Sequence, residues 1–479
     1  MIRKCIKIIP YVIFLFIYLF GKFVNEIFND ISFEHLLYNV MNTEGANYSV
    51  VTTGIIYIFS RLGIILLLLL IIYLIFKKFN IKINKFFLSK KFNIIFLVIF
   101  GFVSLFLTIR LLNIDDFIIY QNKESNLYEK YYVSGKDIEL KFPKKKKNLI
   151  YIFAESMETT NISKVNGGNV EKTYIPKLEK LALENINFSN NDNIGGALEV
   201  ENTGWTMAGL IAHTSGIPLK LSALNTLDNK LIPGVYGLGD ILHDNGYNNY
   251  FMIGSDARFG GRANYFKNHG NYKIYDYYYA MDSKFIESDY HVWWGYEDHK
   301  LFEHAKEKII EASKQDEPFN FTILTVDTHF TDGYMDESCK EVFDSKYANS
   351  LYCSDSKIYS FVKWIKKQDF YEDTVIIITG DHLTMQYGFY EDDDYQRTIF
   401  NTIINSKITP AKEKNRLFSS FDMFPTTLAS LGVKIEGNRL GLGVNLYSEE
   451  ETLIEKLGYN KLNKEIMKKS NYYNNELLN

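Results

Sequence analysis

Three short stretches carry residue types that can hold a metal ion and present a nucleophile to it. Glu155 follows the apolar run Ile150-Tyr151-Ile152-Phe153-Ala154, Asp381-His382 follows Val375–Thr379 and Gly380, and between them lies Asn202-Thr203-Gly204-Trp205-Thr206. Carboxylates with an adjacent imidazole suit Mn²⁺, Mg²⁺ or Zn²⁺. A Thr hydroxyl on such an ion loses its proton more easily and becomes a stronger nucleophile. Thr203 precedes Gly204, which allows a backbone or substrate to approach closely. Thr203 and Thr206 both lie at the start of a helical pattern, where free N–H groups favour a bound phosphate. Each also reads as an ordinary N-cap, and spacing alone leaves either as the nucleophile.

Further candidates stand beside these. His329, in Thr325-Val326-Asp327-Thr328-His329, follows another apolar run and could contact phosphate or protonate a leaving group. Arg258 and Arg262 sit in the Gly-containing loop Arg258-Phe259-Gly260-Gly261-Arg262. Arg clamps phosphodiesters well, although a loop Arg is usually just solvated. The acidic run Glu391-Asp392-Asp393-Asp394 reads as a solvent-facing loop. Gly441-Leu442-Gly443 is too short for a phosphate loop, and no Gly-rich nucleotide motif stands elsewhere.

The elements that must position these residues are strands. Leu149–Phe153 and Val375–Thr379 are apolar, β-branched runs, as strands buried on both faces are, and Asn249–Ile253, Phe319–Val326 and Ile399–Ile404 are further candidate buried strands. Helical patterns intervene at Ile175–Glu184, Thr206–His213, His299–Ser313 and Ser354–Lys367. The alternation predicts an α/β fold, a mostly parallel sheet sandwiched by helices. Ligand sites in such sheets collect at the carboxyl ends of the strands, so Glu155, Asp381 and His382 are expected to converge.

At 479 residues the chain exceeds one average domain, and 47% of it is hydrophobic. Its net charge of −4 gives no reason to expect a nucleic-acid partner. Apolar residues crowd into the first 114 positions, where spans are expected at about 8–28, 51–76 and 92–112, each near the roughly 20 residues that cross a bilayer. A cleaved signal peptide is the alternative for the first, but no small-x-small cleavage site follows it. Arg61 inside the second span is a costly charge at membrane depth unless it snorkels. Arg3, Lys4 and Lys7 precede the first span, and Lys77, Lys78, Lys82, Lys85, Lys90 and Lys91 lie between the second and third. No Lys or Arg occurs from Phe23 to Thr53. Positive-inside bias then places the N-terminus in the cytoplasm and everything after the third span outside, in the periplasm or the extracellular space. Residues 115–147 read as a juxtamembrane connector, 148–447 as the catalytic domain, and 448–479 as a polar, peripheral or frayed tail. In an oxidising compartment Cys339 and Cys353 read as a disulfide, with two free thiols as the alternative, and Cys5 lies at the membrane edge.

Taken together, these motifs resemble the alkaline-phosphatase/sulfatase superfamily in its phosphoglycerol-transferase branch, which includes lipoteichoic acid synthases. The resemblance is carried by Thr203-Gly204-Trp205-Thr206 with Gly216-Ile217-Pro218-Leu219, Arg258-Phe259-Gly260-Gly261-Arg262, Trp294-Gly295-Tyr296-Glu297-Asp298, Thr325 to His329, Asp381-His382-Leu383 and the Cys339/Cys353 pair. It implies that Glu155, Thr203, Asp381 and His382 bind one divalent ion, Mn²⁺ or Mg²⁺, with Zn²⁺ in phosphoethanolamine-transferring relatives. It implies Thr203 rather than Thr206 as the nucleophile, with His329 contacting the phosphoglycerol group and Arg262 near a headgroup-contacting Arg, while Arg258 is expected to bind substrate as a clamp on the phosphate. The expected activity is transfer of phosphoglycerol from phosphatidylglycerol to an envelope glycan or polymer, a phosphotransferase reaction on substituted phosphate groups. A phosphoethanolamine transferase, a phospholipid phosphodiesterase and a membrane-anchored binding pseudoenzyme are the competing readings. A sulfatase proper is disfavoured because no Cys/Ser-x-Pro-x-Arg motif surrounds Thr203.

Overall fold

The computed structural model describes residues 8–28, 31–42, 44–45, 49–80, 89–220, 222, 230–386, 388–390 and 394–479. Expectations placed on Arg3, Lys4, Cys5, Lys7, Lys82, Lys85 and on Glu391 to Asp393 lie outside the described residues. The chain divides into two compact units, one of residues 1–36, 47–119 and 387–390, the other of 37–46, 120–386 and 391–479.

The first unit is built on helices α1 (Ile9–Phe28), α3 (Ser49–Lys78) and α4 (Lys90–Leu111). All three are long and apolar enough to cross a membrane. Ile64 and Leu66 to Leu70 on α3 are exposed, as an all-apolar helix facing lipid would be. Small residues bring α1 and α4 together, with Gly21 against Thr108 and Gly101 against the Phe14 ring. Arg61 rests on the Tyr57 ring, 3.3 Å from its centroid, and Tyr57 donates to Glu26 at 2.6 Å. The one charge within the span expected at 51–76 is therefore held by a cation–π contact inside this unit. Helix α2 (Phe33–Met41) follows α1, and the boundary between the units falls within it.

The second unit is organised by a seven-stranded sheet. Its strands are β2 (Asn148–Ala154), β3 (Gly196–Ala197), β4 (Asn248–Ile253), β5 (Lys273–Tyr275), β6 (Phe319–Leu324), β7 (Thr374–Gly380) and β8 (Ile399–Ile404), in the order β3-β8-β7-β2-β6-β4-β5. The five strands from β7 to β5 are parallel to one another; β8 runs antiparallel to β7, and β3 at the edge runs antiparallel to β8. Successive residues of β2 and β7 are all but fully buried on both faces, which explains their unbroken apolar runs. One face packs Tyr151, Phe153 and Ile377 against Leu210 and Ile211 of α5 (Thr206–Ser215) and Phe424 and Leu428 of α8 (Ser420–Ser430). On the other side α6 (Asp298–Ala312) covers β4 and β6, followed in the chain by α7 (Lys346–Ile365).

Two domain expectations change. Residues 120–147 are part of the second unit, with Leu127 and Tyr128 buried and β1 (Leu140–Lys141) paired to β9 (Lys434–Ile435). Residues 448–479 are neither peripheral nor frayed, because Leu453, Ile454, Leu462, Ile466, Tyr473 and Leu477 join the main core. Cys339 and Cys353 form the expected disulfide.

Candidate active site

Strand register creates the site. Ala154 of β2 lies opposite Gly380 of β7, so the next residues, Glu155 and Asp381, leave the sheet side by side. Glu155, Asp381 and His382 are buried together with their ligand atoms within 4.8 Å of one another. His382 Nε2 lies 3.4 Å from Glu155 Oε1 and 3.4 Å from Asp381 Oδ2.

The surrounding backbone orients each group. Asp381 Oδ1 accepts from the N–H groups of Ser156 at 2.8 Å and His382 at 3.0 Å, while its buried Oδ2 has no hydrogen-bond partner among the described residues. His382 Nδ1 is 2.7 Å from the Leu383 carbonyl, which fixes the ring and leaves Nε2 as the ligand atom. Ser156, with φ +55, sits in the left-handed region directly after Glu155, and its hydroxyl donates to Glu155 Oε1 at 2.9 Å. Strain of this kind in a non-glycine residue collects at functional sites.

Electrostatics call for a cation. Burial alone would push the Glu155 carboxyl up, but the hydrogen bond and charge of His382 bring it down to about 2. Burial and the Glu155 charge raise Asp381 to about 7. Burial opposes the charged form of His382, but Asp381 and Glu155 outweigh it and raise the imidazole to about 10. The imidazolium thus supplies a positive charge that a divalent ion would supply in its place. An orphaned carboxylate oxygen, a second carboxylate and a ring nitrogen freed by its tautomer fit such an ion.

The threonine beside this cluster is Thr206. Its Oγ1 is 3.4 Å from Glu155 Oε2 and 3.4 Å from His382 Nε2. Thr206 is the first residue of α5, and the N-cap is Trp205, whose side chain makes no capping bond. The Thr206 hydroxyl is therefore free to face the cluster at the positive end of the helix. Gly209 lets α5 come this near, since a Cβ there would fall 2.1 Å from the Asp381 carbonyl oxygen. Thr203, expected as the nucleophile and fourth ligand, is placed elsewhere. Its fully buried hydroxyl donates to the Val200 carbonyl at 2.7 Å and closes the turn before the helix.

Of the other expected residues, His329 and Arg262 belong to this neighbourhood and Arg258 does not. Burial pushes the His329 imidazole down, with Glu155, His382 and Arg262 among the charges it feels. Its Nδ1 is 2.6 Å from the Phe330 carbonyl, so Nε2 is the free nitrogen. The Trp294 ring packs 4.7 Å from the His329 ring, and the buried Trp294 indole N–H has no partner among the described residues. Arg262 is buried; burial lowers it to about 10, against the opposing charges of Glu155, Asp256 and Asp381. One Arg262 nitrogen reaches the Asp256 carbonyl at 3.1 Å, and its Nε has no partner among the described residues. Arg258 spends its guanidinium on Asp256 at 2.7 Å and Glu44 at 3.0 Å.

Sequence reasoning missed two supports. Glu199 accepts from the Leu383 N–H at 2.8 Å and so fixes the chain after His382; a carboxylate in Gly196-Ala197-Leu198-Glu199 was the available signal. Lys357 of α7 reaches Asp327 at 2.7 Å and Asp336 at 2.6 Å. The Asp298 carboxylate accepts from the Val326 and Asp327 N–H groups, which sets the loop carrying His329. No local pattern announces a network whose members lie up to 59 residues apart.

Comparison with known proteins agrees with this architecture. The sulfatase family model matches residues 147–433. Phosphoglycerol transferase I from Escherichia coli O6:K15:H31 is 34% identical over 255 residues, 51% of this chain and 32% of that protein. The chain thus aligns with about a third of the length of that relative. A crystal structure of a protein in the alkaline phosphatase superfamily from Vibrio parahaemolyticus superimposes with a TM-score of 0.52 at 21% identity, covering 65% of this chain and 76% of that one. The lipoteichoic acid synthase LtaP from Listeria monocytogenes matches with a TM-score of 0.49 at 18% identity, covering 67% and 81%.

Proposed function

Because this chain belongs to the sulfatase family, we propose that it is a membrane-anchored transferase moving phosphoglycerol from phosphatidylglycerol to an envelope glycan or polymer. The carrying observation is the Thr206 hydroxyl, 3.4 Å from both a carboxylate and an imidazole of a buried cation-seeking cluster. The similarity to phosphoglycerol transferase I supports the donor. Three candidate spans support a donor drawn from a lipid bilayer. Charge bias among the flanking Lys residues favours a cytoplasmic N-terminus and an exported catalytic unit.

Glu155, Asp381, His382 and Thr206 would hold one divalent ion, Mn²⁺ or Mg²⁺ on the family resemblance. Such an ion supplies Lewis-acid stabilisation of a hydroxyl's conjugate base and of charge on phosphate oxygens. Thr206 Oγ1 attacks phosphorus, a Thr–O–P bond forms, and the bond from phosphorus to the diacylglycerol oxygen breaks. Diacylglycerol departs with a proton, and glycerophosphate remains on Thr206. An acceptor hydroxyl then forms the new P–O bond and gives its proton as Thr206 is restored. Arg262, with an unpartnered Nε, balances the phosphate charge during both steps. His329, whose neutral form burial favours, offers Nε2 to a glycerol hydroxyl.

The test uses full-length protein in detergent with Mn²⁺ and fluorescent phosphatidylglycerol. Release of diacylglycerol, suppressed by EDTA, with a glycerophosphoryl adduct on the Thr206 peptide by mass spectrometry, is the expected result. Cleavage of phosphatidylethanolamine in preference would overturn the donor. A protein that cleaves neither lipid, even with oligosaccharide acceptors present, would overturn the reading.

A further inference from the structure

The stretch between the first two candidate spans contributes residues to the catalytic unit. Residues 37–46 belong to that unit, although spans precede and follow them in the chain. Tyr38, on α2, is 1% exposed and donates its hydroxyl to the Gly260 carbonyl at 2.9 Å. Gly260 and Gly261 are both left-handed, at φ +65 and +77, and lead directly into Arg262. Two successive glycines give this loop little conformational restraint of its own. The Tyr38 ring also packs 5.9 Å from that of Trp205, the residue before Thr206.

Two more residues grip the same loop. Glu44 pairs with Arg258 at 3.0 Å. Gly45, with φ +76, passes so close that a Cβ would fall 2.6 Å from Asp256 Oδ2. The Glu44 pair is largely solvated and contributes little, so Tyr38 carries most of the grip. Burial pushes the Tyr38 phenol well above its ordinary range, so it stays protonated and able to donate.

We propose that Tyr38 is a positioning residue for phosphoglycerol transfer: by fixing the Gly260–Gly261 turn and the Trp205 ring, it holds Arg262 and Thr206 where they meet the donor phosphate. The proposal rests on the reading of function given above. It makes the stretch between the spans a part of donor recognition as well as a connection.

The experiment compares full-length wild type, Tyr38→Phe, Tyr38→Ala, Arg262→Lys and the Tyr38→Phe/Arg262→Lys double variant, all with Mn²⁺ in detergent. It reads KM and kcat for phosphatidylglycerol, affinity for glycerol 1-phosphate, and amide exchange across residues 257–263. Tyr38→Phe keeps the ring and loses one buried hydrogen bond, so KM and the glycerol 1-phosphate dissociation constant should rise about 5-fold with kcat within about 2-fold. Tyr38→Ala should raise both by 10-fold or more, on the order of a lost ring and bond together, and speed exchange in 257–263 while β7 stays protected. In the Arg262→Lys background, Tyr38→Phe should add less than about 2-fold, because it acts through Arg262. Unchanged KM and affinity in both Tyr38 variants of an active enzyme would overturn this proposal alone, as would effects that add in full to those of Arg262→Lys. Faster exchange with unaltered affinity would also overturn it, since the role would then be structural only. If wild type neither cleaves phosphatidylglycerol nor binds glycerol 1-phosphate, the reading of function fails and this proposal falls with it.

Discussion

Exchanging the roles of two threonines three residues apart tests the catalytic assignment. Thr206→Val removes the hydroxyl that lies 3.4 Å from both Glu155 and His382 and replaces it with a methyl of similar size. Loss of a covalent nucleophile leaves only binding and charge stabilisation, so diacylglycerol release should fall by at least about 10³-fold. Thr203→Val instead removes the 2.7 Å bond to the Val200 carbonyl from a fully buried position. That carbonyl keeps the Thr203 N–H as a donor at 3.2 Å, but the Val200 N–H loses the Thr203 hydroxyl that accepted from it at 3.3 Å, so the cost is about 2–3 kcal/mol of stability. For a domain of this size, that lowers Tm by roughly 2–6 °C, while kcat/KM should stay within about 3-fold of wild type because no group at the cluster is lost. The assay is release of fluorescent diacylglycerol in detergent, paired with a thermal melt of each variant and mass spectrometry of the trapped glycerophosphoryl peptide. Thr206→Ser should retain part of the rate, since it restores a hydroxyl without the methyl that fixes its rotamer. An active Thr206→Val with a well-folded but inactive Thr203→Val would refute the assignment. So would an adduct mapped to Thr203.

Metal dependence, burial and pH give three further checks. Mn²⁺ should raise the Tm of wild type and not of His382→Ala, because only the intact cluster binds the folded state selectively; an equal rise in both, read by calorimetry, would place the ion elsewhere. Lys357→Met should destabilise the protein by about 3–5 kcal/mol in denaturant titrations, because it leaves buried Asp327 and partly buried Asp336 without their cation. A change under 1 kcal/mol (on the order of an exposed pair) would contradict that. Burial brings His213 of α5 down to about 4, and the folded state therefore holds it neutral against an ordinary value of 6.5. Its stabilisation is complete above pH 6.5 and is lost as pH falls through 4, by up to about 3 kcal/mol. The acid side of the stability profile should flatten in His213→Gln, and an identical profile would remove His213 from the explanation.

How much of this was legible follows from the range over which each signal acts. Strands β2, β4, β7 and β8 lie within one residue of their expected bounds, because short runs of mostly apolar, aromatic and β-branched residues have few other uses. Their C-terminal ends then delivered Glu155, Asp381 and His382 as one cluster, since a parallel sheet brings such ends together. The tail was misread because Leu462 and Ile466, four apart on one helix face, are diluted by Lys and Asn in the composition, which hides the stripe they form. Thr203 and Thr206 were separable only by knowing which one begins the helix. Both precede the same apolar pattern, and the choice depends on the Val200 carbonyl, which takes the Thr203 hydroxyl into a turn. Arg258 and Arg262 pose the same problem within one loop, where Asp256 and Glu44 claim the first and burial leaves the second open. In each pair the deciding partner is a local backbone group or a residue from a distant segment, neither of which leaves a mark in hydropathy. Tyr38 is the extreme case, since its bond to Gly260 spans 222 residues and begins between two candidate spans. Periodicity thus announces the scaffold, while the assignment of roles among neighbours of one residue type depends on hydrogen bonds that only the folded chain makes.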